Sequence, residues 1–529
     1  MTPFVATLEV LSFRPAYMTR LASCLLFSAF SLCSMAHIPM DIAPDWHLGP
    51  ADGTSIGADV GGAWDIVSRW EPSQRVIVAV IDDGTDITHE GLAGNVWLNV
   101  GETPFNGIDD DGNGYVDDVR GWNFLVDSMG EVIYEARYEA IWGLSVVDGL
   151  KSSGMPAPDW WSPAIQERAL AQLADLEWQA EFTGIYSMWG LALADKFKAG
   201  MGRDLLSLEE IVYHRKAISI SKSEIKIVKS LIEEGWTYSE MQETTSEYIA
   251  LQHNMDPLYN PRSSTEPETR YGNLYSAAAS SDHGTHVSGI IAANGEGPFG
   301  IQGIAKDAAI IMPIRAVPDG DETDKDVANA IRYAVDNGAK VINMSFGKML
   351  SPERDRVVEA MRYAAANDVL MVHAAGNESE DNDRFVAHPH PGDDPVIQSH
   401  FINVGATTAF TDKRLVADFS NYGQQTVDLF APGDEILSLA NNDGAVWMGG
   451  TSMASPVVSG VAALIRAYFP ELSAPEVKAL LIKTCHRPDG EFLLPGSDGE
   501  RVPFDALCRS GGIVNARDAV TAALSSRKR

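Results

Sequence analysis

From Ala308 onward, short apolar runs alternate with amphipathic ones. Strands are predicted over Ala308 to Ile314, Val341 to Ser345, Val369 to Ala374 and Phe401 to Gly405. Helices Asp324 to Asp336, closed by Asn337-Gly338, and Pro352 to Ala366 lie between them. Parallel strands of one sheet need crossover connections, and helices of this length supply them. The pattern therefore predicts a three-layer α/β fold, a mostly parallel sheet with helices on both faces. Upstream, Arg75 to Ile81 is an apolar run that reads as a further buried strand, and it ends in the turn Asp82-Asp83-Gly84. In such sheets chemistry gathers beyond the C-terminal strand ends, so candidate site residues are sought there.

The alternation is interrupted between these two stretches. Residues 127–252 are rich in Glu, Ala, Leu and Trp. Ser207-Leu208-Glu209-Glu210, Ser221-Lys222-Ser223-Glu224 and Thr237-Tyr238-Ser239-Glu240 each offer a capping box, and Ile165, Ala169, Leu173, Leu176 and Ala180 recur at helical spacing. A helical insertion of four or five helices is expected, with Trp142, Trp160, Trp161, Trp178, Met188 and Trp189 as core side chains rather than a ligand cage.

Arg14 and Arg20 precede an apolar run from Leu21 to Met35 that closes in Ser34-Met35-Ala36, the pattern of a secretory signal peptide over residues 1–36, with Met18 as an alternative start. No later segment reaches the ~18 apolar residues of a spanning helix. An exported protein without stable membrane association is expected. The 529 residues then divide into the signal peptide (1–36), a short N-terminal segment (37–62), a first part of the main domain (63–126), the insertion (127–252) and a second part (253–529). Forty Lys and Arg stand against 73 Asp and Glu, a formal charge of -33 that repels nucleic acid and anionic membranes and argues against both as partners. Outside the signal peptide only Cys485 and Cys508 remain; in an exported protein they suggest one disulfide, with two free thiols as the alternative.

Three segments carry chemistry. Val78-Ala79-Val80-Ile81-Asp82-Asp83-Gly84 sets a carboxylate at a sheet edge. Ser281-Asp282-His283-Gly284-Thr285-His286-Val287-Ser288-Gly289 opens an apolar helix with a histidine among residues small enough for close backbone approach. A metal pair of His283 and His286 is the competing reading, but no acidic third ligand stands at a zincin spacing. Gly449-Gly450-Thr451-Ser452-Met453-Ala454-Ser455-Pro456 leads into a helix that is apolar nearly all round. Its N-terminus offers unpaired N–H groups and a positive dipole end, which suit a hydroxyl nucleophile whose reaction develops an oxyanion.

These segments resemble the three signature blocks of the subtilisin-like (subtilase) serine peptidases, in the family's Asp, His, Ser order. A fourth, Val372-His373-Ala374-Ala375-Gly376-Asn377, resembles the block that supplies the oxyanion-hole amide. The resemblance runs from Ala63-Trp64-Asp65 to Gly511-Gly512-Ile513-Val514-Asn515-Ala516, interrupted by the insertion. Sedolisins, which carry Glu for the His and Asp for the Asn, fit less well. The resemblance implies a secreted serine endopeptidase, a monomer acting on polypeptide substrates. In it Ser452 is the nucleophile, His283 the general base and acid, Asp82 its orienting carboxylate and Asn377 an oxyanion donor. Ser345-Phe346-Gly347 resembles the segment that pairs with an extended substrate backbone. The alternative is a catalytically silent peptide-binding protein on the same fold. Three departures stand out: Asp83 replaces a small hydroxyl residue, Gly91 stands where many relatives carry a calcium-binding Asp, and no inhibitor-like propeptide of the usual ~70 residues fits between Ala36 and Ala63.

A calcium site is expected elsewhere. In the segment Asp109 to Asp118, Asp109, Asp111, Asn113 and Asp117 occupy positions 1, 3, 5 and 9 of a calcium loop, with Gly114 at 6 and the Tyr115 carbonyl at 7. Position 12 is Arg120 rather than Glu, so Asp118 is expected to supply the last ligand.

Overall fold

The computed structural model describes residues 42–127, 129–202, 205–215, 218, 220, 222–233, 237–259, 270–277, 282–297 and 299–527. The expected signal peptide, residues 1–36, lies outside the described residues, as do Ser221 of one expected capping box and Ser281 beside His283.

A seven-stranded sheet organises the chain, built from β1 (Val76–Asp82), β2 (Trp122–Asn123), β3 (Ala309–Arg315), β4 (Val341–Met344), β5 (Leu370–Ala374), β6 (Phe401–Thr407) and β7 (Leu429–Pro432). Its order is β2-β3-β1-β4-β5-β6-β7, and every neighbouring pair is parallel. The expected strands form with displaced ends. β1, β3 and β6 run on to Asp82, Arg315 and Thr407, and β5 starts at Leu370. β4 stops at Met344 because Ser345 leaves the ladder to bond with Ser452. β2 and β7 were not expected: two residues give no periodic signal, and Leu429-Phe430-Ala431-Pro432 ends in a residue that ladders exclude.

Helix α1 (Val60–Val67) precedes β1. Between β2 and β3 come α2 (Glu139–Ser152), α3 (Pro163–Met201), α4 (Leu208–Tyr213), α5 (Lys222–Glu233), α6 (Tyr238–Met255) and α7 (His283–Ala292). Then follow α8 (Asp324–Asp336), α9 (Arg354–Ala366, two residues later than expected) and α10 (Pro395–Ser399). A hairpin of β8 (Ile436–Ala440) and β9 (Gly444–Met448) leads to α11 (Thr451–Tyr468), α12 (Ala474–Lys483) and α13 (Ala516–Arg527).

Alternation along β1 divides the core in two. Val76, Val78 and Val80 pack with Val287 and Ile290 of α7 and Val457 and Val461 of α11, whereas Ala79 and Ile81 face Ile331 of α8 and Met361 of α9. Trp46, Leu48 and Ala58 join the first of these cores, and Trp46 Nε1 donates to the Glu435 carbonyl at 2.9 Å. The segment before Ala63 is therefore packed into the main body from Trp46 onward.

Five helices, α2 to α6, occupy the place of the expected insertion, from Glu139 to Met255 rather than 127 to 252. The chain leaves and returns at one point, where Tyr138 N–H donates to the Asn254 carbonyl at 3.0 Å. Helix α3 starts at the Ser162 cap, which accepts from Ile165 N–H, has Pro163 in its first turn and ends at Gly202 with φ 72°. With 39 residues it is about 58 Å long at 1.5 Å per residue. Its far end shares a local core with α4 and α5 through Leu193, Phe197, Leu208, Ile211, Val228 and Leu231. Its near end packs with Ala140, Val147 and Trp161 against Leu350 of the main body. Trp142 stacks on Trp160 with ring centroids 5.6 Å apart, but both are half-buried at the margin of this core, and of the three tryptophans here Trp161 is the buried one. The side chains of Met188 and Trp189 lie outside the described ones. Ser207 occupies the N-cap of α4 without a side-chain bond, and Glu210 accepts instead from Leu206 N–H, so that capping box does not close. Among the described residues no helix is long and apolar enough to cross a membrane.

Cys485 and Cys508 are separate buried thiols rather than a disulfide. Cys485 donates to the Leu481 carbonyl, and burial pushes its pKa up to about 12. The melting midpoint should therefore be the same with and without reductant, and thiol reagents should titrate both cysteines only after unfolding. A midpoint that falls on reduction would contradict this packing.

Candidate active site

β1 delivers Asp82 to the C-terminal edge of the sheet, where it is 2% exposed. Its Oδ1 accepts from Asp83 N–H at 2.8 Å and from His283 Nδ1 at 2.7 Å, across 201 positions of sequence. His283 opens α7, so the first turn of that helix must reach the strand end. Gly284 makes this possible: a Cβ there would sit 1.9 Å from the Gly84 carbonyl oxygen. Its N–H donates instead to Asp83 Oδ1 at 2.9 Å. Arg315 had no sign in the sequence pattern; its fully buried guanidinium donates to the Asp83 carbonyl at 2.8 Å and to Asn123 Oδ1 at 3.2 Å.

Burial alone would lower the His283 pKa, but the charge of Asp82, its hydrogen bond and the charge of Asp83 outweigh burial and raise it to about 9. This contribution to stability is fully present below pH 6.5 and fades as pH rises through about 9. His286, one turn on, has a different role. Its Nε2 lies 3.0 Å from the Ile436 carbonyl and 3.1 Å from that of Val446, and burial holds its pKa down to about 3. The two histidines therefore face different partners and form no metal pair.

Ser452 is the second residue of α11, whose N-cap is Gly450, and every other residue of that helix is buried. Its Oγ donates to the Ser345 carbonyl at 3.0 Å, while Ser345 Oγ donates to the Ser452 carbonyl at 2.8 Å. Behind this pair, Ser455 and Ser459 donate to Asn343 Oδ1 at 3.0 and 2.8 Å, and Asn343 Nδ2 donates to Ser345 Oγ at 2.9 Å. A satisfied polar network in the core thus fixes α11 against β4. Two hydroxyls at i and i+4 on an otherwise apolar buried helix were the available sign of it. Asn377 Oδ1 accepts from the N–H and the Oγ1 of Thr451, both at 2.9 Å, which leaves its Nδ2 to donate elsewhere. Ser452, Asn377, Phe346 and Gly347 line one cavity of about 550 Å³, whose far wall is helix α3 of the insertion.

The acidic loop is only partly gathered as expected. Oxygens of Asp109 and Asp111 lie within 4.8 Å of one another and of Glu102, a residue the loop pattern had not included. Asn113 Nδ2 bridges Asp111 and Asp118 at 3.1 Å to each. Asp118 is buried, accepts from Tyr333 Oη at 2.7 Å, and has its pKa pushed up to about 6 by burial. Asp117 is turned to the Asn106 and Gly107 N–H groups at 3.0 and 2.8 Å. Tyr115 packs its ring on Trp122 and Tyr333. An all-oxygen group of three carboxylates fits a hard divalent cation such as calcium.

A family model described as the subtilase family matches residues 73–499. The cell wall-associated protease of Bacillus subtilis is 38% identical over 203 residues, 38% of this chain and 21% of that protein. The major intracellular serine protease of the same organism is 37% identical over 207 residues, 38% of this chain and 61% of that protein. The extracellular protease of Xanthomonas campestris pv. campestris is 34% identical over 270 residues, 47% of this chain and 41% of that protein. The chain spans less than two thirds of the length of each.

The electrostatics of Asp83 are directly testable. Asp83→Asn keeps an acceptor for Gly284 N–H and removes one negative charge, so the His283 pKa should fall below its value of about 9. Imidazole NMR titration in a Ser452→Ala background reads this. A midpoint that does not move would assign the whole shift to Asp82.

Proposed function

The chain belongs to the subtilase family, and from that premise we propose that it is an exported serine endopeptidase hydrolysing polypeptides through an acyl-enzyme. The observation that carries this reading is the 2.7 Å contact of His283 Nδ1 with Asp82 Oδ1, at the same sheet edge where α11 presents Ser452.

In its neutral form, which a pKa of about 9 makes more abundant as pH rises, His283 Nε2 takes the proton of Ser452 Oγ as that oxygen turns from the Ser345 carbonyl and attacks the scissile carbonyl. The proton on Nδ1 stays on the ring and is donated to Asp82 Oδ1, whose carboxylate fixes the tautomer and stabilises the imidazolium. The oxyanion is met by Asn377 Nδ2, aimed by the two bonds from Thr451, and by the Ser452 N–H at the positive end of α11. Collapse of the tetrahedral adduct breaks the C–N bond, and His283 returns its proton to the leaving amine. Water then hydrolyses the ester by the same sequence of proton transfers. The substrate backbone is laid along Ser345-Phe346-Gly347, where strand addition recognises main chain before side chain.

Export rests on the signal-like N-terminus and agrees with the names of the cell wall-associated and extracellular relatives, while another relative is intracellular. Calcium is the cation proposed for the acidic loop, held by Glu102, Asp109 and Asp111.

A fluorophosphonate probe should label Ser452 in the wild-type chain and not in Ser452→Ala, which should fold normally and retain only residual hydrolysis. Undiminished activity in that variant would remove Ser452 from the reaction. Asn377→Ala should lower kcat by about 10² to 10³ with little change in KM, the order found for one oxyanion donor in subtilisin. An effect confined to KM would make Asn377 a ground-state binding residue. Chelation should lower the melting midpoint and added calcium restore it, because the loop carboxylates repel one another without a cation. Asp111→Ala should be indifferent to both treatments; a wild-type midpoint that ignores them rejects the site.

A further inference from the structure

The cavity beside Ser452 is not made by the sheet edge alone. Its far wall is the near end of α3, which brings Arg168, Gln172 and Asp175 opposite Phe346, Gly347 and Asn377. The cavity adjoins Ser452, so the side chain of a substrate's acyl-side residue can enter it and meet that wall.

The wall carries an excess of acceptors. Arg168 is committed to Glu380, with Nε 3.3 Å from Oε1 and a second contact from Nη2, so that pair is neutral. Lys348 is committed to Asp324 at 3.0 Å and to the Glu322 carbonyl at 2.7 Å. Asp175 and Glu378 also line the cavity, and neither has an ion-pair partner of its own among the described residues, whereas Asp321 shares the charge of Lys348. Asp175 accepts from Gln179 Nε2, Asp321 from Glu139 N–H and Glu378 from Asn421 Nδ2. The amide oxygen of Gln172, Oε1, is buried and has no hydrogen-bond partner among the described residues. A buried acceptor without a donor costs free energy that a donor-rich ligand recovers. Apolar wall residues Ala171, Met349 and Phe385 suit an alkyl stem leading to a cationic head.

We propose that this cavity takes a basic side chain, Arg or Lys, from the residue on the acyl side of the scissile bond, and that helix α3 supplies part of the selectivity through Gln172 and Asp175. The inference rests on the peptidase reading above and names its substrate class. The guanidinium or ammonium enters between Glu378 and Asp175 and donates to Gln172 Oε1. The insertion is thus a specificity element built into the cavity wall.

The test uses the full chain and four peptide p-nitroanilides that differ only in the residue before the anilide: Arg, Lys, Phe and Glu. The expected kcat/KM for Arg and Lys exceeds that for Phe by about tenfold or more, with Glu lowest. Asp175→Asn and Gln172→Ala should each reduce the Arg-to-Phe ratio by about threefold or more, the scale of one partly exposed interaction. Benzamidine, a small amidinium, should protect Ser452 from the fluorophosphonate probe, and less so in Asp175→Asn. Phe cleaved as fast as Arg, or labelling that benzamidine does not slow, overturns the inference while the peptidase reading stands. Basic preference that survives both substitutions overturns the assignment to α3. No hydrolysis of any anilide together with no labelling of Ser452 overturns the peptidase reading and this inference with it.

Discussion

A carboxylate buried at a strand end is the constraint on which the rest of this molecule depends. Asp82 is 2% exposed, and a buried charge is tolerable only when it is hydrogen-bonded and paired. One partner is local, the Asp83 N–H; the other, His283, is 201 positions away. Bringing them together presses the first turn of α7 against β1 so closely that Gly284 has no room for a Cβ. Arg315 at the end of β3 then ties the neighbouring strand to the same corner through the Asp83 carbonyl. Between Asp82 and His283 the chain is free to wander as long as it comes back, and Tyr138 and Asn254 close the detour with one backbone bond. Closing a longer loop costs only ~0.6 kcal/mol per doubling of length, so five packed helices are tolerated there.

What the sequence made legible follows from which interactions are local. The βαβ pattern is written in runs of five to seven buried residues, such as Leu370–Ala374 and Phe401–Thr407, and those strands form nearly where periodicity places them. The segments around Asp82, His283, Asn377 and Ser452 were legible because glycine and small residues flank each polar group, as close backbone approach demands. The Asn343 network was not, because its members sit on two elements more than a hundred positions apart and each alone is an ordinary polar residue. Arg315 was hidden for the same reason, at the end of a strand expected to stop at Ile314. Glu102 escaped because it accepts from Asp110 and Asp111 N–H across a turn, outside the register that a linear calcium-loop pattern counts.

The walls of the cavity were the least legible part. Helical spacing and a proline-capped start announced α3, but nothing local says that Arg168 meets Glu380, 212 positions on. That pair is one of the contacts that tie the insertion to the sheet edge, and its guanidinium also lies 5.1 Å from the centroid of Phe385. A reading from periodicity finds the element; the charge pairing that turns one face of it to the cavity appears only in three dimensions.

Lys348 shows that the insertion and the proposed substrate edge form one electrostatic unit. It follows Ser345-Phe346-Gly347 directly, its side chain is 2% exposed, and it lies 3.0 Å from Asp324. Burial pushes it toward the neutral form, but Asp324, Glu322, Glu139 and Asp321 together outweigh burial and hold it charged. Burial in turn raises both Asp321 and Glu322, with Lys348 pulling both down. One ammonium therefore serves four carboxylates, and one of them, Glu139, opens the first helix of the insertion. Breaking such a buried arrangement by removing one partner typically costs about 3 to 5 kcal/mol, because the remaining charge is left uncompensated. Glu139 N–H also donates to Asp321 Oδ2 at 2.9 Å, so a shift of that first turn moves a carboxylate on the cavity floor. Changes in how the insertion is anchored thus reach the residues around Ser452 through charge, with the groups proposed for catalysis left untouched.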